Sequence, residues 1–308
     1  SEQENASSDS QKLQIVATIF PEYDWVKEIL GDQADNVDLT LLLGNGTDMH
    51  SFQPTMEDIL KVSTCDLFIY VGGESDSWVA DALKGAGNPD RKAINLMDVL
   101  GDQVKEEELV EGMQDEDDHT HEEGHTHDDD LEYDEHVWLS LKNASLFCDT
   151  IASSLADADP EHSRLYQQNA EAYEEKLAAL DQEYQTSVEK SQSKTLLFAD
   201  RFPFRYLIDD YNLTYYAAFA GCSAETDASF ETITFLAGKR DELNLPAVLT
   251  IENSDQKVAK AVIENTNTKD QKILTLNSMQ SVTTKDVEEG TTYLSIMENN
   301  LQILKEAL

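Results

Sequence analysis

Short β-rich runs alternate with helix-period segments along nearly the whole chain, and this rhythm is the tightest constraint on its fold. Residues 13–19 are strand-like, and residues 21–30 follow with Tyr23, Val26 and Leu30 at helical spacing. Residues 37–43 are again strand-like and end on the turn formed by Gly44, Asn45 and Gly46. Thr55 opens a helix, and Asp58 completes a capping box in which Asp replaces the usual Glu or Gln. Residues 66–71 form a further strand closed by Gly72 and Gly73, and residues 78–83 return to helical spacing. The second half repeats the pattern, with strands predicted over 195–199, 213–219, 247–251 and 273–276. Helices are predicted over 204–211, 229–244, 255–264 and 291–308. Between the halves, Tyr166, Asn169, Tyr173, Leu177, Leu180, Tyr184 and Val188 recur at spacings of three and four. They mark one stripe of a helix over residues 160–190, which would be ~45 Å long, enough to run along two lobes and join them. The expected architecture is α/β: two parallel-sheet lobes joined by one long helix, with a crevice facing the carboxyl ends of the strands. The 308 residues divide accordingly into a flexible leader (1–11), a first lobe (12–156), a linking helix (157–192) and a second lobe (193–308).

Residues 106–135 break the rhythm. The segment is rich in Asp, Glu and His, has almost no apolar residue after Met113, and cannot bury a core, so a mobile loop is expected within the first lobe. His119, His121, His125 and His127 form two His-Thr-His units interleaved with acids such as Asp117, Glu122 and Asp128. Imidazole suits zinc, copper, nickel and iron, and flexible chain can gather such ions, although ordering it costs entropy and keeps binding weak. The charge agrees: 62 Asp and Glu against 22 Lys and Arg give a formal net charge of -40. Such a surface repels nucleic acid and anionic lipid and attracts cations, besides keeping the chain in solution. No apolar run approaches the ~20 residues of a membrane span. The polar start shows no signal peptide and reads as a mature form from which a targeting segment has been removed. Cys65, Cys148 and Cys222 are odd in number and form no Cys-x-x-Cys pair, which argues against a disulfide framework or a cysteine-based zinc site. Cys65 and Cys148 read as buried thiols.

Two histidines lie at positions where chemistry is expected. His50, between Asp48 and Pro54, follows a strand and a glycine turn and precedes a helix, a strand-end position in the crevice. His136, in the run Asp134, Glu135, His136, Val137, Trp138 and Leu139, stands where the acidic loop hands over to a helix. A lone histidine reads as a hydrogen-bonded structural residue. Two such imidazoles beside an acidic loop supply half of a tetrahedral metal site.

On these residues the chain resembles the zinc/manganese-specific substrate-binding proteins of bacterial ABC transporters. The spacing from His50 to Pro54 is similar to the family's first ligand motif, and His136 to Leu139 resembles its second. The acidic His-rich loop resembles that of the zinc-type members, and residues 195–207 and 219–229 resemble second-lobe strands and turns. The resemblance implies a clamshell of two lobes around a rigid helix, with a divalent cation between the lobes. It also implies a monomer outside the cytoplasm, periplasmic or tethered at the cell surface by a lipid on a cysteine just before Ser1, docking on an ABC permease. Departures from the pattern are plain. Glu135 stands where a proline usually precedes the histidine. Arg201 falls near the third ligand position and cannot bind a metal, because it stays protonated and has no acceptor. Asn277 falls near the fourth, and an amide oxygen is a poor zinc ligand. Asp200 and Glu225 are the candidates to complete the site, each also readable as a cap or salt-bridge partner, with Cys222 a softer option. Arg201, Asp48 and Asn277 are expected to surround the ligands, with Arg201 pairing with Glu225 or Asp48, and Glu252 reads as a structural acid.

The expected function is therefore capture of Zn²⁺ for a permease, with no catalysis. Oxygen donors in place of imidazole would shift the preference to Mn²⁺. An extracellular metal buffer or adhesin working through the acidic loop is a second reading. A zinc hydrolase is a third, but the chain has no His-Glu-x-x-His and no Gly-x-Ser-x-Gly motif.

Overall fold

The computed structural model describes residues 11–85, 87–114 and 132–308. The first lobe begins with β1 (Leu13–Ala17), α1 (Phe20–Leu30), β2 (Val37–Leu41), α2 (Met56–Thr64), β3 (Leu67–Tyr70), α3 (Val79–Lys84), β4 (Lys92–Asn95) and α4 (Leu96–Leu100). After the acidic segment come α5 (Leu141–Ala158) and the long α6 (Ser163–Lys190). The second lobe contains β5 (Thr195–Phe202), α7 (Arg205–Asp210), β6 (Thr214–Ala220), α8 (Phe230–Leu243), β7 (Ala247–Ile251), α9 (Lys257–Glu264) and β8 (Lys272–Leu276). It ends with α10 (Thr284–Glu288) and α11 (Tyr293–Ala307).

Both sheets are parallel and share one order: β2-β1-β3-β4 in the first lobe and β6-β5-β7-β8 in the second. In each, the chain leaves its first strand to one side and returns on the other. The carboxyl ends of the central strands therefore open a crevice where side chains from several loops can converge. Local signals set the helix starts. Thr55 accepts a hydrogen bond from the backbone of Asp58 while the Asp58 carboxylate accepts from that of Thr55, and Ser229 caps α8 in the same sense. Asn244 ends α8 in the left-handed conformation that asparagine tolerates. β4, α4 and α10 are new relative to the sequence reading. Each is only four or five residues long, too short for hydrophobic periodicity to show.

The helix predicted over 160–190 forms as a short 3₁₀ turn, Pro160–His162, followed by α6. It buries Tyr166, Ala170, Tyr173, Leu177, Leu180, Tyr184 and Val188. Asn169, on the same stripe, is half-buried and donates to the carbonyl of Ile29. α6 packs against α1, α5 and α11, so it touches elements from both halves of the chain.

Buried polar bonds also lock the lobes together. Trp138 Nε1 donates to the carbonyl of Ser278 (2.9 Å), and Tyr293 Oη donates to the carbonyl of Trp138 (2.7 Å). The backbone N–H of Tyr293 donates to Asp24 Oδ2 of α1 (2.8 Å). The segment 104–114 crosses to the second lobe. There Tyr206 Oη accepts from Lys105 N, Arg205 pairs with Glu108 (2.9 Å), and Gln114 bonds Ala218 and Ser229.

Asp24 is held in this interface at a cost. Burial raises its pKa to about 6, partly offset by the hydrogen bond from Tyr293, with Glu28 adding repulsion. A carboxyl whose folded pKa lies above its unfolded value of about 3.9 favours the folded state below that value, and this contribution is lost as pH rises through about 6. Asp24→Asn keeps an acceptor for Tyr293 and removes the charge. In urea unfolding the variant should match the parent at pH 4 and exceed it at pH 8, by about 2 kcal/mol.

Candidate metal centre

His50 belongs to a 3₁₀ turn, Met49–Ser51, beyond the end of β2. Asp48 Oδ1 accepts its backbone N–H (2.9 Å), and Met49 is buried in the core beside it. The ring is oriented from behind: Nδ1 lies 2.7 Å from Ser75 Oγ, and that hydroxyl donates to Glu135 Oε2 (2.7 Å). The backbone N–H of Ser75 donates to Glu135 Oε1 (2.8 Å). Gly73 makes this possible, since a Cβ there would lie 2.1 Å from Glu135 Oε1. Glu135 thus ties the His136 segment to the loop after β3.

His136 precedes a second 3₁₀ turn, Val137–Leu139, and has no exposed surface. Asp134 Oδ1 accepts its backbone N–H and lies 2.9 Å from its Nδ1. The carbonyl of Asp134 accepts from Tyr206 Oη of the second lobe (2.8 Å), so both lobes fix this ring.

The Nε2 atoms of the two rings face each other at 3.4 Å. Tautomers follow from the partners. Asp134 can only accept from Nδ1 of His136, and Ser75, which donates to Glu135, accepts from Nδ1 of His50. Each ring then presents an Nε2 lone pair to the other, an arrangement a cation stabilises. Two nitrogens at the usual zinc distance in a tetrahedral shell lie about 3.4 Å apart. Burial, the His136 ring and the nearby Arg201 hold the pKa of His50 below its ordinary value, against the pull of Asp48 and Glu135. Burial also opposes charge on His136, but Asp134, Glu135 and Asp48 together outweigh it and raise that pKa.

A third donor stands beside the pair. Among the described residues, ligand atoms of His50, His136 and Cys222 all lie within 4.8 Å of one another. Cys222 follows β6, and Gly221 lets the strand end approach: a Cβ there would sit 2.7 Å from the carbonyl oxygen of Phe202 and 3.2 Å from His136 Cε1. The thiol faces the carboxyl of Glu107. Burial, then Glu107, Glu135 and Asp134, push its pKa up. Burial likewise raises that of Glu107, whose Oε1 is buried with no hydrogen-bond partner among the described residues.

The other predicted residues are placed differently. Asp200 sits at an irregularity in the β5–β6 register. Its Oδ1 accepts from Arg201 N and its Oδ2 from Ile251 N, so it serves the sheet. Glu225 lines a cleft of about 470 Å³ with Asp48, Asp200, Arg201, Glu252 and Asp255, and neither Asp200 nor Glu225 joins the two-histidine group. Of the two partners expected for Arg201, Asp48 is the one it meets, at 3.5 Å. Glu252 accepts from the backbone and hydroxyl of Ser278, and Asn277 Oδ1 accepts from Met279 N. His119, His121, His125 and His127 lie outside the described residues. Glu107 is missing from the sequence reading because its run of acids, from Glu106 to Glu108, looks like ordinary solvated charge.

Residues 15–307 match the family model described as the zinc-uptake complex component A, periplasmic. The chain belongs to this ZnuA family. Among ZnuA-family relatives, the zinc-binding lipoprotein AdcA of Streptococcus pneumoniae is 33% identical over 302 residues, covering 98% of this chain and 57% of that protein. The chain thus spans little more than half the length of AdcA. The high-affinity zinc uptake system protein ZnuA of Bacillus subtilis is 29% identical over 304 residues, 99% of this chain and 90% of that protein. The crystal structure of the Zn(II)-bound ZnuA-like domain of S. pneumoniae AdcA superposes with a TM-score of 0.74 at 28% identity, over 96% of this chain and 99% of that one. The two-lobed ZnuA-like architecture with its long helix is therefore the fold of this chain.

The residues behind the rings should matter for any metal the pair holds. Asp134→Asn and Ser75→Ala each loosen one imidazole without removing it. Each is expected to weaken zinc binding about 10- to 100-fold in a chelator-competition titration, while far-ultraviolet circular dichroism stays unchanged.

Proposed function

We propose that this chain binds Zn²⁺ with His50 and His136 outside the cytoplasm and delivers it to an ABC permease. The observation that carries the reading is the 3.4 Å approach of the two Nε2 atoms, with both Nδ1 atoms already engaged by acceptors. Rings in these tautomers are ready ligands, so little reorganisation precedes binding. Membership of the ZnuA family, and relatives named as zinc-binding and zinc-uptake proteins, support the cargo and the permease partner. Nitrogen and sulfur donors at the pair favour zinc over the oxygen-preferring Mn²⁺.

The protein acts in this reading as a binding protein and not a hydrolase. The acids next to the rings, Asp134 and Glu135, accept hydrogen bonds that orient the imidazoles as ligands, the arrangement a binding site needs. A monomer suffices, because both lobes of the site come from one chain. His119, His121, His125 and His127 would gather ions at low affinity for transfer to the crevice. No helix among the described residues is long and apolar enough to cross a membrane, which fits a partner that supplies the channel.

Competition of the protein with a chelator of known affinity tests the reading. Zn²⁺ should bind stoichiometrically below micromolar concentration, and His50→Ala with His136→Ala should abolish that binding. Tight binding that survives both substitutions would reject the site.

A further inference from the structure

We propose that Cys222 is the third ligand of this site and that Glu107 supplies the fourth donor, giving a set of two nitrogens, one sulfur and one oxygen. The inference rests on the two-histidine reading above and adds the ligands that reading leaves open. The resemblance sets its third and fourth ligands near Arg201 and Asn277. Arg201 turns to Asp48, and the Asn277 oxygen is spent on Met279. The donor atom that does converge on the rings comes from elsewhere. Sγ of Cys222 lies within 4.8 Å of both imidazole donors, delivered by a glycine that could not carry a side chain without meeting the His136 ring. Glu107, whose carboxyl interacts with the thiol, lies outside that three-residue group, but one of its oxygens is buried without a partner among the described residues. An ion held by the facing lone pairs and the thiol would draw that oxygen in as a fourth donor.

Glu107 is well placed to hold such a position. Its backbone N–H donates to the carbonyl of Glu132, next to the antiparallel bridge between Glu106 and Tyr133. Asp134 N donates to the carbonyl of Lys105 in the same short ladder. The segment carrying Glu107 is therefore hydrogen-bonded to the segment leading into His136, which ties the two donors to one another through the backbone. On coordination the S–H bond of Cys222 gives way to a sulfur–metal bond, and the proton is released to solvent. A thiolate donor suits zinc and disfavours manganese, so Cys222 would set the metal preference of this chain.

Cobalt substitution reads the ligand directly. The unaltered protein loaded with Co²⁺ should show a sulfur-to-cobalt charge-transfer band in the near ultraviolet, and Cys222→Ser should abolish it. Cys222→Ser should weaken Zn²⁺ binding about 100-fold, no less than the loss of an orienting partner costs, and reduce the preference for Zn²⁺ over Mn²⁺. Glu107→Gln should keep the band and weaken Zn²⁺ binding. A Co²⁺ complex of the unaltered protein without the band, with unchanged Zn²⁺ affinity in Cys222→Ser, overturns the assignment while leaving the two-histidine site standing. Unchanged affinity in Glu107→Gln overturns the fourth donor. Absence of tight Zn²⁺ binding in the unaltered protein instead sinks the underlying reading.

Discussion

The contact between His136 and Asp134 fixes the geometry on which the rest of the structure depends. An imidazole with no exposed surface is tolerated only if its polar atoms find partners, and Asp134 meets the ring and its backbone N–H with a single oxygen. Asp134 is in turn held by Tyr206 of the second lobe, and its neighbour Glu135 by Ser75 of the first. Two residues beyond His136, Trp138 bonds Ser278 and Tyr293. One short stretch of chain thus collects hydrogen bonds from both lobes. The distance between the two rings is consequently a property of the lobe arrangement, and α6, packed against elements from both halves, holds that arrangement in place.

Electrostatics sharpen the same design. A chain of net charge -40 draws cations everywhere, which by itself gives attraction without selectivity. Selectivity needs donors aimed at one point, and here the acids nearest the rings spend their oxygens on aiming them. Arg201 works in the opposite direction. It adds positive charge near His50, whose pKa burial and the His136 ring already lower, and its partly exposed pair with Asp48 bridges the cleft for at most about 1 kcal/mol. Being partly exposed, this pair contributes less to holding the lobes than the buried bonds around His136.

The fold was largely legible in the sequence because its signals are local. Thr55 with Asp58, and Ser229 with Asn244, mark helix ends by short-range hydrogen bonding, and the α6 stripe follows from a spacing within one helix. His50 and His136 were legible for a related reason: each stands at the junction between two recognisable elements. The surroundings of the site were not legible, because they depend on contacts across tens of residues. Asp200 looked available beside Arg201, but the irregular register of β5 turns its carboxylate to Ile251 in the neighbouring strand. The role of Glu135 depends on Ser75, 60 residues away, and on the bare Cα of Gly73. Cys222 had no partner cysteine and no Cys-x-x-Cys spacing, so it stood only as a softer option beside Asp200 and Glu225.

The sheet order explains how a donor can change strands without the site being lost. Arg201 lies near the end of β5, paired with Phe219 of β6, and Phe202 is paired with Ala220. The residue that stands in for a ligand at the end of β5 is therefore next to the strand that leads directly into Gly221 and Cys222. Adjacent strands lie only about 4.8 Å apart, close to the spread of ligand atoms around one ion. Moving the donor from β5 to the end of β6 shifts its backbone origin by one strand, and the small size of Gly221 removes the steric obstacle to closing the remaining gap. Arginine then becomes tolerable at position 201, because the guanidinium pairs with Asp48 across the cleft and no longer has to serve the ion.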